Sequence, residues 1–243
     1  MSREVEQSTP GPTPGSTPGS TPGSTPGSTP GSTPWGLVTV KMLFALLGFS
    51  ALVTEVATLV ERGQFRAGDF FSYFTVESNT LSVISLVVSS FAVAVGHRSA
   101  RLDYLRGAVA LFMTTTIIIF IVLLSGYPAS ELTAVPWDNT VLHYIMPIAI
   151  ILDWLFATRV EPVPYRKALL WLVFPLAYLL YSLVRGPIAN WYPYPFMDAS
   201  KNGYGVVVVT SLVIAVVLAA ITWVVGAAPR WTGRLSVAGV AGR

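Results

Sequence analysis

The sequence predicts an all-α, polytopic membrane protein: six transmembrane helices, both termini on the inner side, and a disordered N-terminal tail. Three observations carry that prediction. Of the 243 residues, 53% are hydrophobic and 11% are charged, against roughly 25% charged in an ordinary globular domain. Mean hydropathy is +0.62, an average that already includes a polar tail. After that tail come six apolar runs, separated by short breaks that hold Gly, Pro and Arg.

The tail covers residues 1–34 and closes on five consecutive Gly-Ser-Thr-Pro repeats, from Gly15 to Pro34. Such a segment has no apolar face to offset the entropy of ordering, and its prolines favour extended conformers. It lacks the apolar stretch that follows the charges of a secretory signal. A flexible tail is the expectation, with a Pro-rich docking arm for a protein partner as the alternative.

The six runs lie near 36–60, 70–95, 104–125, 139–157, 167–184 and 205–226. Each suffices to cross a ~30 Å hydrocarbon core at ~1.5 Å per residue. The breaks are Arg62-Gly63, Gly96-His97-Arg98, Gly126-Tyr127-Pro128, Glu161-Pro162 and Arg185-Gly186-Pro187. Backbone polar groups must be satisfied within lipid, and no two-residue alternation suggests a barrel, so the runs are expected as helices. The transmembrane domain then spans 35–228, with 229–243 as a short cytoplasmic tail.

Basic residues set the orientation. With the N-terminus inside, eleven fall on the inner side (Arg3, Lys41, Arg98, Arg101, Arg106, Arg159, Arg166, Lys167, Arg230, Arg234, Arg243) and four outside (Arg62, Arg66, Arg185, Lys201). The expected location is a plasma membrane, with both termini cytoplasmic. Net charge is +3 and is spread singly between apolar runs, which gives no nucleic-acid surface. The absence of cysteine and the presence of two histidines, His97 and His143, argue against thiolate or His-rich metal sites. No metal or organic cofactor is implied, and the last helix has no Lys for a retinal Schiff base. Membrane lipids are the expected partners.

Ionisable groups at membrane depth cost several kcal/mol, which makes each a candidate for function. At about 100° per residue, Thr75, Ser78, Asn79, Ser82, Ser85 and Ser89 share one face of the second helix, with Glu77 opposite Thr75. Small-residue helix packing also accounts for that Ser/Thr stripe. Thr75 lies between one and two turns into its helix, and His143 about one turn into the fourth, so the two come to similar depth. Glu55 lies near the same level, and Arg185 can pair with Glu55 or Glu77. Asp153 belongs to the inner half, as an anchor with Trp154 and Arg159. A hydroxyl beside an imidazole is the minimum for nucleophilic catalysis, the imidazole taking the hydroxyl proton and returning it to the leaving group. In the 185–204 loop, Trp191, Tyr192, Tyr194 and Phe196 suit a membrane-interface belt, or a lid over a lipid-facing pocket.

The stretch Phe70-Phe71-Ser72-Tyr73-Phe74-Thr75-Val76-Glu77-Ser78-Asn79, with His143-Tyr144-Ile145-Met146-Pro147, Asp153-Trp154 and Trp191-Tyr192-Pro193-Tyr194-Pro195-Phe196, resembles the bacterial "Pr-six-Pr" six-helix membrane proteins over residues 36–226. That family is distantly similar to the animal androgen-induced and androgen-dependent TFPI-regulating membrane proteins, intramembrane hydrolases of fatty acid esters of hydroxy fatty acids. The resemblance implies Thr75 as nucleophile and His143 as its base. The sequence departs from the animal proteins at Glu77 and Ser78, where apolar residues are expected.

The leading expectation is an intramembrane lipid-ester hydrolase. Thr75 and His143 are catalytic, Asn79 is an orienting or oxyanion donor, and Glu77, Glu55 and Arg185 are pocket residues. One rival is a transporter or proton path through Glu55, Glu77, His143 and Asp153, though the six runs show no inverted repeat. The other is a non-enzymatic scaffold or sensor.

Overall fold

The computed structural model describes residues 35–128, 132–156 and 163–240, with side chains to Ala228. The repeat tail and the orientation-setting Arg159 lie outside these residues, as do the side chains of Arg230 and Arg234. Six helices are long and apolar enough to cross a membrane: α1 (Trp35–Glu61), α2 (Phe74–Ala94), α3 (Ala100–Leu124), α4 (Pro136–Phe156), α5 (Tyr165–Ala189) and α6 (Tyr204–Ala228). The last continues unbroken to Val240. Among the described residues no strand occurs, and the chain is a multi-pass membrane protein by helix length and composition.

Several boundaries differ from the sequence expectation, among them the start of α3 at Ala100 and the end of α6 at Val240, and three lie near the site. Phe70 ends a separate one-turn helix (Ala67–Phe70), and α2 begins only at Phe74, so Thr75 lies in the first turn of its helix rather than deeper. Pro136 opens α4 at its first helical position, where a missing N–H costs nothing. Arg185-Gly186-Pro187 does not stop α5, which runs on to Ala189. It ends where Asn190 adopts a left-handed φ of 48°, a conformation that Asn tolerates better than most residues.

The buried residues of α1 are Lys41, Ala45, Gly48, Ala51 and Glu55. Their spacing of three or four gives one narrow face, and its small members let α1 lie close along α2. A Cβ on Gly48 would stand 2.6 Å from Met146 Cε on α4. From α2 the inward face is the predicted stripe: Thr75, Ser78, Asn79, Ser82, Ser85 and Ser89 are all buried. Their hydroxyls are satisfied largely by local carbonyls, as in Ser82 Oγ to Ser78 O at 2.7 Å. The most enclosed helix is α3, which packs against α2, α4 and α6. Leu46, Phe91, Ile188 and Val216 point outward and are exposed, as the apolar rind of a bundle surrounded by hydrocarbon must be.

One end of the bundle is fastened by charge. Asp153 of α4 is ion-paired to Lys41 of α1 and to Arg106 of α3 at 2.9 Å. Arg106 also reaches Asp103 at 3.1 Å, and Lys41 donates to Ser89 of α2 at 3.2 Å. Two cations and two anions balance, so burial leaves no unpaired charge. Asp153 is therefore the centre of an ion cluster joining three helices, in place of the simple anchor beside Trp154 and Arg159. Trp154 itself is in the core, donating to Val225 O at 2.9 Å.

Candidate functional site

The other end of the bundle brings Thr75 and His143 together. Thr75 Oγ1 lies 3.2 Å from His143 Nε2, and both residues are buried. The second ring nitrogen, Nδ1, lies 3.1 Å from the Asn139 carbonyl. A carbonyl can only accept, so Nδ1 carries the hydrogen and the neutral ring turns an accepting Nε2 toward the Thr75 hydroxyl. Phe120 stacks on the imidazole at 4.1 Å between centroids. Both rings stand on π-helical turns, Phe120–Leu124 in α3 and Val141–Ile145 in α4. Single π turns of this kind often mark functional sites.

The first turn of α2 leaves backbone donors without helical acceptors, and two tyrosines fill that need. Tyr178 of α5 accepts from the Phe74 N–H at 3.2 Å and donates to Ser72 O at 2.8 Å. Tyr194, from the α5–α6 connection, accepts from the Thr75 N–H at 3.2 Å, and its oxygen lies 3.3 Å from Thr75 Oγ1. Burial raises the Tyr194 phenol above its ordinary range, so at Thr75 it stands as a neutral O–H group. The connection packs tightly back on α5: a Cβ on Gly186 would stand 1.9 Å from Tyr192 Cε1. Tyr194 is stacked on Phe196 at 5.4 Å and meets Tyr73 edge-on at 5.8 Å.

The remaining expected site residues are placed differently. Asn79 donates both amide hydrogens to backbone carbonyls, Thr75 O at 2.9 Å and Leu142 O at 3.0 Å. None is left for an oxyanion, and its position is that of a brace between α2 and α4. Arg185 pairs with neither Glu55 nor Glu77. Its partner is Asp69 at 2.6 Å, and it lies over the Trp191 ring at 4.9 Å. Glu55 accepts the Ala134 N–H on both oxygens, at 2.8 and 2.9 Å, which ties α1 to the segment entering α4. Glu77 is half-buried on the far side of α2, and among the described residues it has no ion-pair partner.

Sequence reasoning missed two groups. Tyr194 was expected at an interface belt or in a lid, and instead touches the candidate nucleophile. Asp138, fully buried, lies beside Glu55, the Thr133 hydroxyl and the Asn139 amide, one residue before the carbonyl that holds His143. Nothing in the run Pro136-Trp137-Asp138-Asn139 marks Asp138 as interior, because its neighbour Glu55 comes from α1, far away in sequence.

Two cavities share Thr75 on their walls. A chamber of about 300 Å³ with mixed polar and apolar lining is bounded by Glu55, Arg62, Arg66, Thr75, His143 and Tyr194. A smaller apolar cavity of about 60 Å³ lies among Phe74, Thr75, Ile119, Leu179, Met197 and Leu218. Hydroxyl, imidazole and phenol thus converge where a reacting carbonyl can be approached from a wet side and an oily one. Compared with family models, with curated proteins and with solved structures, the chain matches none.

Proposed function

We propose that the protein is an intramembrane lipid-ester hydrolase with Thr75 as nucleophile and His143 as general base, then acid. The single observation that carries this reading is the 3.2 Å contact between Thr75 Oγ1 and His143 Nε2, with the other ring nitrogen held by Asn139 O. This is the arrangement that nucleophile activation needs: a hydroxyl on a base, and the base oriented by a third group. In the reaction Thr75 Oγ bonds to the ester carbonyl carbon while its proton passes to Nε2. Charge developing on the carbonyl oxygen is met by the Tyr194 O–H and the N-terminal end of α2. The ester C–O bond then breaks, the alcohol leaves with the proton from His143, and water releases the fatty acid from Thr75 by the same steps reversed.

The resemblance to the bacterial "Pr-six-Pr" proteins, themselves distantly similar to animal hydrolases of fatty acid esters, supports this reading, since it implies these roles for the same two residues. The site belongs to the outer leaflet in this proposal, with both termini cytoplasmic, because inner basic residues outnumber outer ones eleven to four. Reporter fusions at residue 130 should read external and fusions at 162 internal. The chemistry is tested with a fluorophosphonate probe: wild type should be labelled at Thr75, and Thr75→Ala and His143→Ala should not be. Equal labelling of the Thr75→Ala variant sinks the assignment.

A further inference from the structure

The two cavities that adjoin Thr75 differ in lining: among the described residues the smaller has no charged group on its walls, and the larger carries charged groups beside apolar ones such as Leu59, Phe70 and Leu132. The apolar cavity is walled by Phe74, Ile119, Leu179, Met197 and Leu218, surfaces that reward a hydrocarbon chain and offer little to a polar group. In the larger chamber, Arg62 and Arg66 come from the segment joining α1 to the short helix Ala67–Phe70. Neither has an ion-pair partner among the described residues. Of the acidic groups of that chamber, Asp69 is neutralised by Arg185, and Glu55 accepts only a neutral donor, the Ala134 N–H. Two guanidinium groups therefore face one carboxylate, and the balance in the chamber is positive.

We propose that the ligand is a single-chain acyl ester of a small anionic alcohol, the first methylenes of its chain in the apolar cavity and its head against Arg62 and Arg66. The ester carbonyl then falls at Thr75, which stands on the wall of both cavities. This rests on the hydrolase reading for the fate of the ester, while the binding of the head and chain stands apart from it. A second long chain is a poor occupant of the chamber, because it would strip water from Arg62, Gln64, Arg66 and Asp69 without replacing the lost hydrogen bonds. The alcohol half differs in this from a hydroxy fatty acid. A phosphate and a carboxylate share the chemistry that two guanidinium groups recognise, and the two are separated by experiment.

The test uses the full-length Thr75→Ala protein in neutral detergent, so that ligands persist, and follows tryptophan fluorescence, since Trp191 lines the chamber. Four ligands of one acyl chain length are titrated: a lysophosphatidylglycerol, an acyl lactate, a monoacylglycerol and the ester of a long-chain hydroxy fatty acid. The two small anionic esters should bind about tenfold more tightly than the monoacylglycerol, the most that two exposed ion pairs commonly supply. Arg62→Gln with Arg66→Gln should abolish that preference, and the matching Arg→Lys pair should retain most of it. Thermal unfolding of each variant reports that it remains folded. Equal affinity for charged and neutral esters overturns the proposal, as does a preference that survives the Gln pair. Binding of the hydroxy fatty acid ester as tight as that of acyl lactate overturns the small-head assignment. Wild-type hydrolysis is scored separately: selective binding without turnover defeats the hydrolase reading and leaves the ligand class standing, and turnover without selectivity does the reverse.

Discussion

Asn79 on α2 donates to the carbonyl of Leu142 on α4 at 3.0 Å, and Leu142 is the residue just before His143. The same amide donates to Thr75 O, so one side chain fixes the backbones of both candidate catalytic residues. Asn79→Ala removes both bonds within a packed interior and should cost about 2 kcal/mol. Ester hydrolysis should fall by about a hundredfold, because small misplacements of reacting groups are expensive. Asn79→Asp should be worse than Ala, since a carboxylate would face two carbonyls with nothing to donate. Thermal unfolding and turnover of the two variants check this. An Asn79→Ala protein with wild-type turnover would remove the brace from the account.

The ion cluster at the opposite end makes a prediction about stability alone. Lys41→Met leaves Asp153 with one cation in place of two and should cost about 3 kcal/mol, within the usual range for breaking a buried pair. Arg106→Met strips partners from both Asp153 and Asp103 and should cost more. Combining Lys41→Met with Asp153→Asn should recover part of the loss, because the excess negative charge of the cluster is removed with its cation. Additive losses in that double mutant would show that the pair is not coupled.

Much of the fold was legible because lipid imposes a simple rule. Apolar runs must be helical, and the limits of α1 at Trp35–Glu61 and the start of α6 at Tyr204 fall within one residue of the sequence expectation, whereas α6 overruns its expected end at 226 and continues to Val240. The inward face of α2 was legible for a related reason: small polar residues three and four apart cannot face hydrocarbon cheaply. The failures lie where a neighbour decides. Pro187 was expected after the end of α5, yet the helix continues, and the true stop is set by the left-handed Asn190. Arg185 had two acidic candidates at the right depth, but its partner Asp69 comes from a short helix that the run near 70–95 did not resolve. Tyr194 carries no local mark of its role, since its hydrogen bonds go to a residue 119 positions away.

Asp198 provides a pH-dependent check on the connection that delivers Tyr194. Its carboxylate accepts the Ser200 N–H at 3.0 Å and the Ser200 hydroxyl, and the hydroxyl bond leads the effects that hold it below the ordinary range. A depressed folded value means that the ionised form is favoured in the fold. Its contribution is full above the unfolded value of about pH 4 and fades as pH falls through the folded value. Asp198→Ala should therefore lower the unfolding midpoint by about 2–4 °C at pH 7, matching about 1 kcal/mol for a lost cap. The gap from wild type should narrow toward pH 3. A gap that is constant with pH would assign the loss to packing rather than to the carboxylate.

Tyr194→Phe separates the phenol from the ring that carries it. The ring is held by Phe196 and Tyr73, so the Phe variant should keep the connection closed over the site and lose only the O–H. Two effects follow, and they differ in size. The Thr75 N–H loses its acceptor, which should cost about 1 kcal/mol of stability. The developing oxyanion loses a donor, which should lower kcat by about a hundredfold with KM little changed, as for removal of one such donor elsewhere. If the phenol serves only to cap α2, stability falls and kcat does not. The Thr75→Ala and His143→Ala variants provide the scale for the comparison. Those two act as one unit, so each should abolish hydrolysis and their double mutant should be little worse than either. Tyr194→Phe should instead retain measurable turnover, because nucleophile and base remain 3.2 Å apart without it. Adding Tyr194→Phe to Thr75→Ala should leave ester binding unchanged. An oxyanion donor matters only once a nucleophile has attacked, so weaker ester binding by that double mutant would place the phenol in substrate binding instead.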